Sequence, residues 1–174
     1  MQKTAILFLS ACIYANSAFG QLLKYDNEQE LMGAAVSSPY SAGQIVKRLV
    51  DKCGAYNDSL RTSGDRALHS WEAHHQAYLE EGLRVKAQLE AKLSTPTDRS
   101  AFKNMLEKQL PEAIQKQYEA LAVVIDSAPS QAGKVRMCEG YVQAIADGKF
   151  DLKVNDPTLS AYFDKRIRAR SDKK

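Results

Sequence analysis

Apolar residues recur at steps of three and four along most of this chain, with no stretch of strand-like alternation, so the pattern predicts helices throughout. Ile45, Leu49, Cys53, Tyr56 and Leu60 form the first stripe, introduced by a capping box at Ser41 and Gln44 and closed at Ser63-Gly64. Asp65 then caps a second helix, whose stripe is the clearest in the chain: Leu68, Trp71, His75, Tyr78, Gly82, Val85 and Leu89. Ser94 to Asp98 break the pattern and start a third helix, with Thr95 as cap and Pro96 in the first turn. That helix carries Phe102, Leu106, Leu110, Ile114, Tyr118, Leu121 and Ile125, and Pro111 is expected to kink it or split it after Leu110.

Ala128-Pro129-Ser130 marks the next break, before a fourth stripe of Val135, Cys138, Val142 and Ile145 that Gly148 ends. Asp156-Pro157 opens a short last helix whose basic end suits the negative pole of the helix dipole. The fold class expected is all-α, a four-helix-type bundle with a short C-terminal helix. The divisions expected are a signal peptide over 1–20, a lead-in over 21–40 with a short helix at 28–36, the bundle domain over 41–168, and a basic tail over 169–174.

The start of the chain sets the compartment. A charged Met1-Gln2-Lys3, a mostly apolar run from Thr4 to Ala15, and small residues in Ala18-Phe19-Gly20 have the form of an export signal cleaved before Gln21. Leu9-Ser10-Ala11-Cys12 offers a second reading, a lipoprotein box with Cys12 as the lipid-bearing residue, but the apolar stretch ahead of it is very short. Both readings export the domain, to the periplasm. In an oxidising compartment the two remaining cysteines, Cys53 and Cys138, each on the inward stripe of its helix, are expected to form a disulfide rather than two buried free thiols.

Composition narrows the rest. With 44% hydrophobic and 26% charged residues the chain is ordinary globular material, and after the leader it is the size of one domain. A formal charge of +3 is too small to imply nucleic acid. The basic excess lies in Lys165, Arg166, Arg168, Arg170, Lys173 and Lys174, a weak membrane-surface contact or simply a solvated terminus. No later apolar run is long enough to span a bilayer.

Little in the sequence points to catalysis. Nucleophile-elbow, zinc-protease and haem-attachment motifs are missing, no catalytic residue or cofactor is assigned, and Glu80-Glu81 reads as a solvated pair. The one metal-like grouping is His69, Glu72 and His75, half of the paired Glu-x-x-His arrangement of dimetal bundles. Its second half has no histidines left to draw on beyond His74, and His75 equally suits a seam position with a hydrogen bond.

Cys53, Ala67-Leu68-x-x-Trp71, Cys138 and Gly148-Lys149-Phe150-Asp151-Leu152, in that order, resemble a group of small exported two-cysteine helical proteins of Gram-negative bacteria, most without an assigned activity. Cys138-Glu139-Gly140-Tyr141-Val142, with Ala146-Asp147, is also similar to a segment of periplasmic immunity proteins, which neutralise wall-degrading toxins. Those resemblances imply an exported, non-enzymatic binding protein with a protein partner. The alternative is a bundle that binds a metal or small ligand around Trp71, His75 and Gly82.

Overall fold

The structure, a computed structural model, describes residues 24–172. The leader expected over 1–20, Cys12 within it, and Lys173 and Lys174 lie outside the described residues. Two long antiparallel helices, α1 (Glu28–Gly54) and α2 (Asp58–Lys92), form the frame. Against them pack α3 (Pro96–Asn104), a π-helical turn (Met105–Gln109), α4 (Leu110–Asp126), α5 (Gln131–Ala146), the one-turn α6 (Leu152–Asn155) and α7 (Pro157–Ser171). The chain is all-α, a bundle of four main rods plus a C-terminal helix, and no strand occurs among the described residues. Cys53 of α1 and Cys138 of α5 are disulfide-bonded, their Cα atoms 5.2 Å apart. Closing a loop of 85 residues this way stabilises the fold by about 4–5 kcal/mol in the chain-entropy description.

The lead-in does not exist as a separate segment from residue 28 onward. Asn27 caps α1 by accepting from the Glu30 N–H at 3.0 Å, and the helix then runs unbroken through Pro39. Ser41 is therefore no cap; its hydroxyl donates back to the Ser37 carbonyl at 2.9 Å, inside the helix. Packing overrides the local break. Met32, Ala35 and Val36 are buried in one core cluster with Tyr78, Val85 and Phe163, so the hydrophobic gain extends the helix across the proline.

Proline at position 39 has no N–H to offer the Ala35 carbonyl four residues back. That carbonyl is the atom nearest Gly82 of α2: a Cβ on Gly82 would lie 2.8 Å from the Ala35 oxygen. The two backbones touch where one helix has an unused acceptor and the other has no side chain, the geometry in which a Cα–H···O contact forms.

The expected end of the first helix also moves. Asn57, not Asp65, caps α2 by accepting the Leu60 N–H at 2.8 Å, and Ser63-Gly64 lies within α2. Gly64 is a contact glycine, since its Cβ would meet Val50 Cγ1 at 2.9 Å. The second stripe is placed as expected, with Trp71, His75, Tyr78, Gly82 and Val85 all buried.

Thr95 caps α3 through the Asp98 N–H at 3.1 Å. The interruption expected after Leu110 falls before it, as the π turn, and Pro111 sits in the first turn of α4: the Leu110 N–H reaches the Met105 carbonyl, five residues back. Pro111 cannot donate to Glu107, and the widened turn accommodates that loss without ending the rod. Ser130 caps α5. Gly148, at φ 72°, closes it with paired bonds from Gly148 N–H to Ile145 and from Lys149 N–H to Ala144. Asp156 caps α7, accepting from the Leu159 N–H at 3.0 Å and from the Tyr25 hydroxyl.

Two glycines make opposite predictions. Gly82→Ala drives a Cβ into backbone that cannot rotate away, and urea unfolding is expected to show a loss of about 1–3 kcal/mol. Gly140→Ala on α5 meets nothing within 4 Å and is expected to gain up to about 1 kcal/mol from helix propensity.

Candidate functional site

A buried polar arrangement lies where the two core clusters meet, on the inward face of α2. Trp71 belongs to the cluster around the disulfide, and Tyr78 and Leu152 to the cluster around Phe163. His75 sits between them, 2% exposed, stacked on the Trp71 ring at 3.9 Å and edge-on to Tyr78 at 6.2 Å. Its Nδ1 lies 2.7 Å from the Trp71 carbonyl, which can only accept, so Nδ1 carries the proton. Nε2 then presents a lone pair, and the Leu152 N–H donates to it at 3.1 Å. The Trp71 Nε1–H donates to the Phe150 carbonyl at 3.1 Å. Two ring nitrogens of α2 thus hold the connection from α5 to α6 by its backbone.

Trp71 and the Gly148–Leu152 stretch meet here. Trp71 is bonded to Phe150, and Gly148 supplies the positive-φ turn that brings Phe150 to Leu152 under α2. Burial lowers the His75 pKa, partly offset by its bond to the Trp71 carbonyl and by Asp151. A neutral buried histidine adds stability that is complete above the ordinary 6.5 and lost as pH falls through the lower folded value. Tyr78 donates to Asp164 Oδ1 at 2.8 Å, and burial first, then that carboxylate, push its phenol pKa up.

The metal-like trio is not assembled. His69 is exposed and stands 3.6 Å from Glu72 on the outer side of α2, while both nitrogens of His75 are engaged inside. His74 is exposed as well. No group of three His, Cys, Asp or Glu side chains is placed to hold a metal ion among the described residues.

Glu81 overturns the reading of Glu80-Glu81 as a solvated pair. It is 3% exposed and takes Arg166 Nε–H on Oε1 at 2.9 Å, with Arg170 at 2.6 Å and Arg84 at 3.2 Å on Oε2. The basic end is accordingly no free tail up to residue 171. Arg166 and Arg170, one turn apart on α7, clasp a carboxylate on α2, and Arg166 also lies 5.4 Å over the Tyr162 ring. Glu81 adjoins the apolar seam at Gly82, and the i,i+4 arginines are plain in the sequence. Only the pairing of α2 with α7 turns those signals into a site.

On the outside, a shallow groove of about 220 Å³ runs between the start of α2 and α5, with Asn57, Ser59 and Ser63 facing Glu139 and Gln143. No family model, curated protein or solved structure matches the chain. No helix among the described residues is long and apolar enough to cross a membrane.

Glu81→Gln removes the charge that three guanidinium groups share. Because Arg84 and Arg170 also reach water, the expected loss is about 2–3 kcal/mol in urea unfolding, below the range for a fully buried pair. Arg168→Ala, on the exposed side of the same helix, is expected to change stability by less than about 0.5 kcal/mol.

Proposed function

We infer that this is an exported envelope protein that works by binding another protein, in the manner of an immunity protein or inhibitor, without catalysis of its own. The observation that carries this reading is the disposition of Cys138 to Asp147 along α5. Cys138, Val142 and Ile145 point into the core, and Tyr141 donates to the Leu121 carbonyl at 3.0 Å. Glu139, Gly140, Gln143 and Asp147 are exposed on the opposite side. This is the stretch similar to periplasmic immunity proteins. The disulfide fixes its inner edge, and its outer edge borders the groove against α2, which Leu60 and Val142 floor between the polar side chains. A rigid polar ridge loses little conformational entropy on docking, the condition that favours a protein interface.

Further support comes from the interior, where the groups that catalysis would use are already engaged. His75 is bonded at both nitrogens and Glu81 is held by three arginines. The disulfide accords with passage through an oxidising compartment, which the leader also implies.

Titrating the purified protein against a panel of peptidoglycan-cleaving toxin domains is expected to give one stoichiometric, inhibitory complex. Glu139→Arg is expected to weaken it at least tenfold without changing the melting temperature. No complex with any member of the panel, or an affinity indifferent to Glu139→Arg, overturns the reading. Native mass spectrometry showing one metal ion or small molecule per chain would return the ligand-binding alternative.

A further inference from the structure

Asp151 raises a question that its role in the fold does not answer. Its Oδ1 is buried, has no hydrogen-bond donor, and lies 3.9 Å from His75 Nε2. A buried acceptor without a donor is costly, and a carboxylate oxygen more so. The other carboxylate oxygen fits beside Gly148, where a Cβ would approach Oδ2 at 3.0 Å, so the carboxylate is closely seated against the turn.

Neutral His75 cannot satisfy Oδ1, because its proton is on Nδ1 and its Nε2 lone pair already accepts from the Leu152 N–H. Protonation reverses the relation. An imidazolium has an N–H at Nε2, which opposes the Leu152 N–H donor to donor, while a carboxylate acceptor stands ready one residue earlier in the chain. We propose that His75 and Asp151 form an acid-operated latch on the α5–α6 connection. Protonated His75 releases the Leu152 amide and donates its Nε2–H as a hydrogen bond to Asp151 Oδ1, keeping the proton on the ring and loosening residues 150–155 while the disulfide-linked bundle stays folded.

The groups around the ring bear on the direction. Asp151 favours the imidazolium, and the neighbouring His74 on α2 opposes it. Lys153 of α6 lies 5.9 Å over the Tyr78 ring, and Asp164 of α7, which takes the Tyr78 hydroxyl, pairs with Lys153 at 3.8 Å. From α1, Gly43 faces the Trp71 ring, which a Cβ there would meet at 3.1 Å. Release affects a defined set of bonds. Leu152 N–H is a first-turn donor of α6 with no helical partner, which His75 caps, and the Val154 and Asn155 amides both donate to the Asp151 carbonyl at 3.0 Å.

The chain reports on itself, since Trp71 is its only tryptophan and stacks on the ring concerned. The oxidised protein is titrated from pH 8 to pH 4.5 by tryptophan fluorescence, amide NMR and far-ultraviolet circular dichroism. The expected result is quenching of Trp71 with a midpoint below the ordinary histidine value of 6.5, matched by displacement of the Leu152 amide signal, at unchanged helicity. Asp151→Asn, which keeps the shape but not the charge, is expected to move the midpoint to lower pH, and His75→Gln to abolish the transition. A midpoint indifferent to Asp151→Asn overturns the latch, as does a transition that persists in His75→Gln. So does quenching that coincides with loss of helicity in the unaltered protein, a readout that needs no variant to fold.

Discussion

The whole arrangement depends on how closely α1 and α2 approach. Pro39 leaves the Ala35 carbonyl without its helical donor, and Gly82 leaves a gap into which that carbonyl fits. Gly64 makes room for the Val50 side chain about five turns nearer the connection between the two helices. Close approach along this seam lets two helices of 27 and 35 residues act as one slab. The remaining helices bury their apolar faces against it. It also explains why a proline within α1 is tolerated: the lost hydrogen bond falls where the partner helix presents the bare backbone of Gly82.

That slab has polar groups in its interior, and each is tied to a later part of the chain, the α5–α6 connection or α7. His75 and Trp71 hold the backbone at Phe150 and Leu152, Tyr78 holds Asp164, and Glu81 holds Arg166 and Arg170. All of these lie on α2, in order along its length, and their partners follow in the same order along the chain. Apolar packing alone would let α7 slide over α2; directional bonds fix its position. The surface is left with the ridge of α5 and the groove beside it, which is where the inferred partner would dock.

Fold class, the disulfide and the seam of α2 were legible in the sequence because each rests on periodicity, which burial enforces directly. The cap at Thr95, the break at Ala128-Pro129-Ser130, the helix start at Asp156-Pro157 and the stop at Gly148 were legible from local turn and cap chemistry. The start of α1 and the α1–α2 boundary were not, since Pro39 and Gly64 look like breaks until the neighbouring helix supplies a reason for them. His75 was read as either a metal ligand or a seam residue, and only the distant Leu152 amide decides between these. Glu81 was misread because its three partners lie 3, 85 and 89 residues away, and two of those separations carry no periodic signal.

The π turn at Met105–Gln109 has a consequence for what lengths of chain this fold accepts. Phe102 and Met105, before or at the turn, belong to the core cluster around Phe163, while Leu110, Ile114 and Ile125 belong to the one around the disulfide; Leu106 touches both. A rod of uniform pitch would have to aim both halves along one stripe. The extra residue acts as a swivel of about 100°, roughly one helical step, between the two. A homologous chain one residue shorter between Asn104 and Leu110 would form a regular helix there. It would then have to leave either Phe102 or Ile114 facing water.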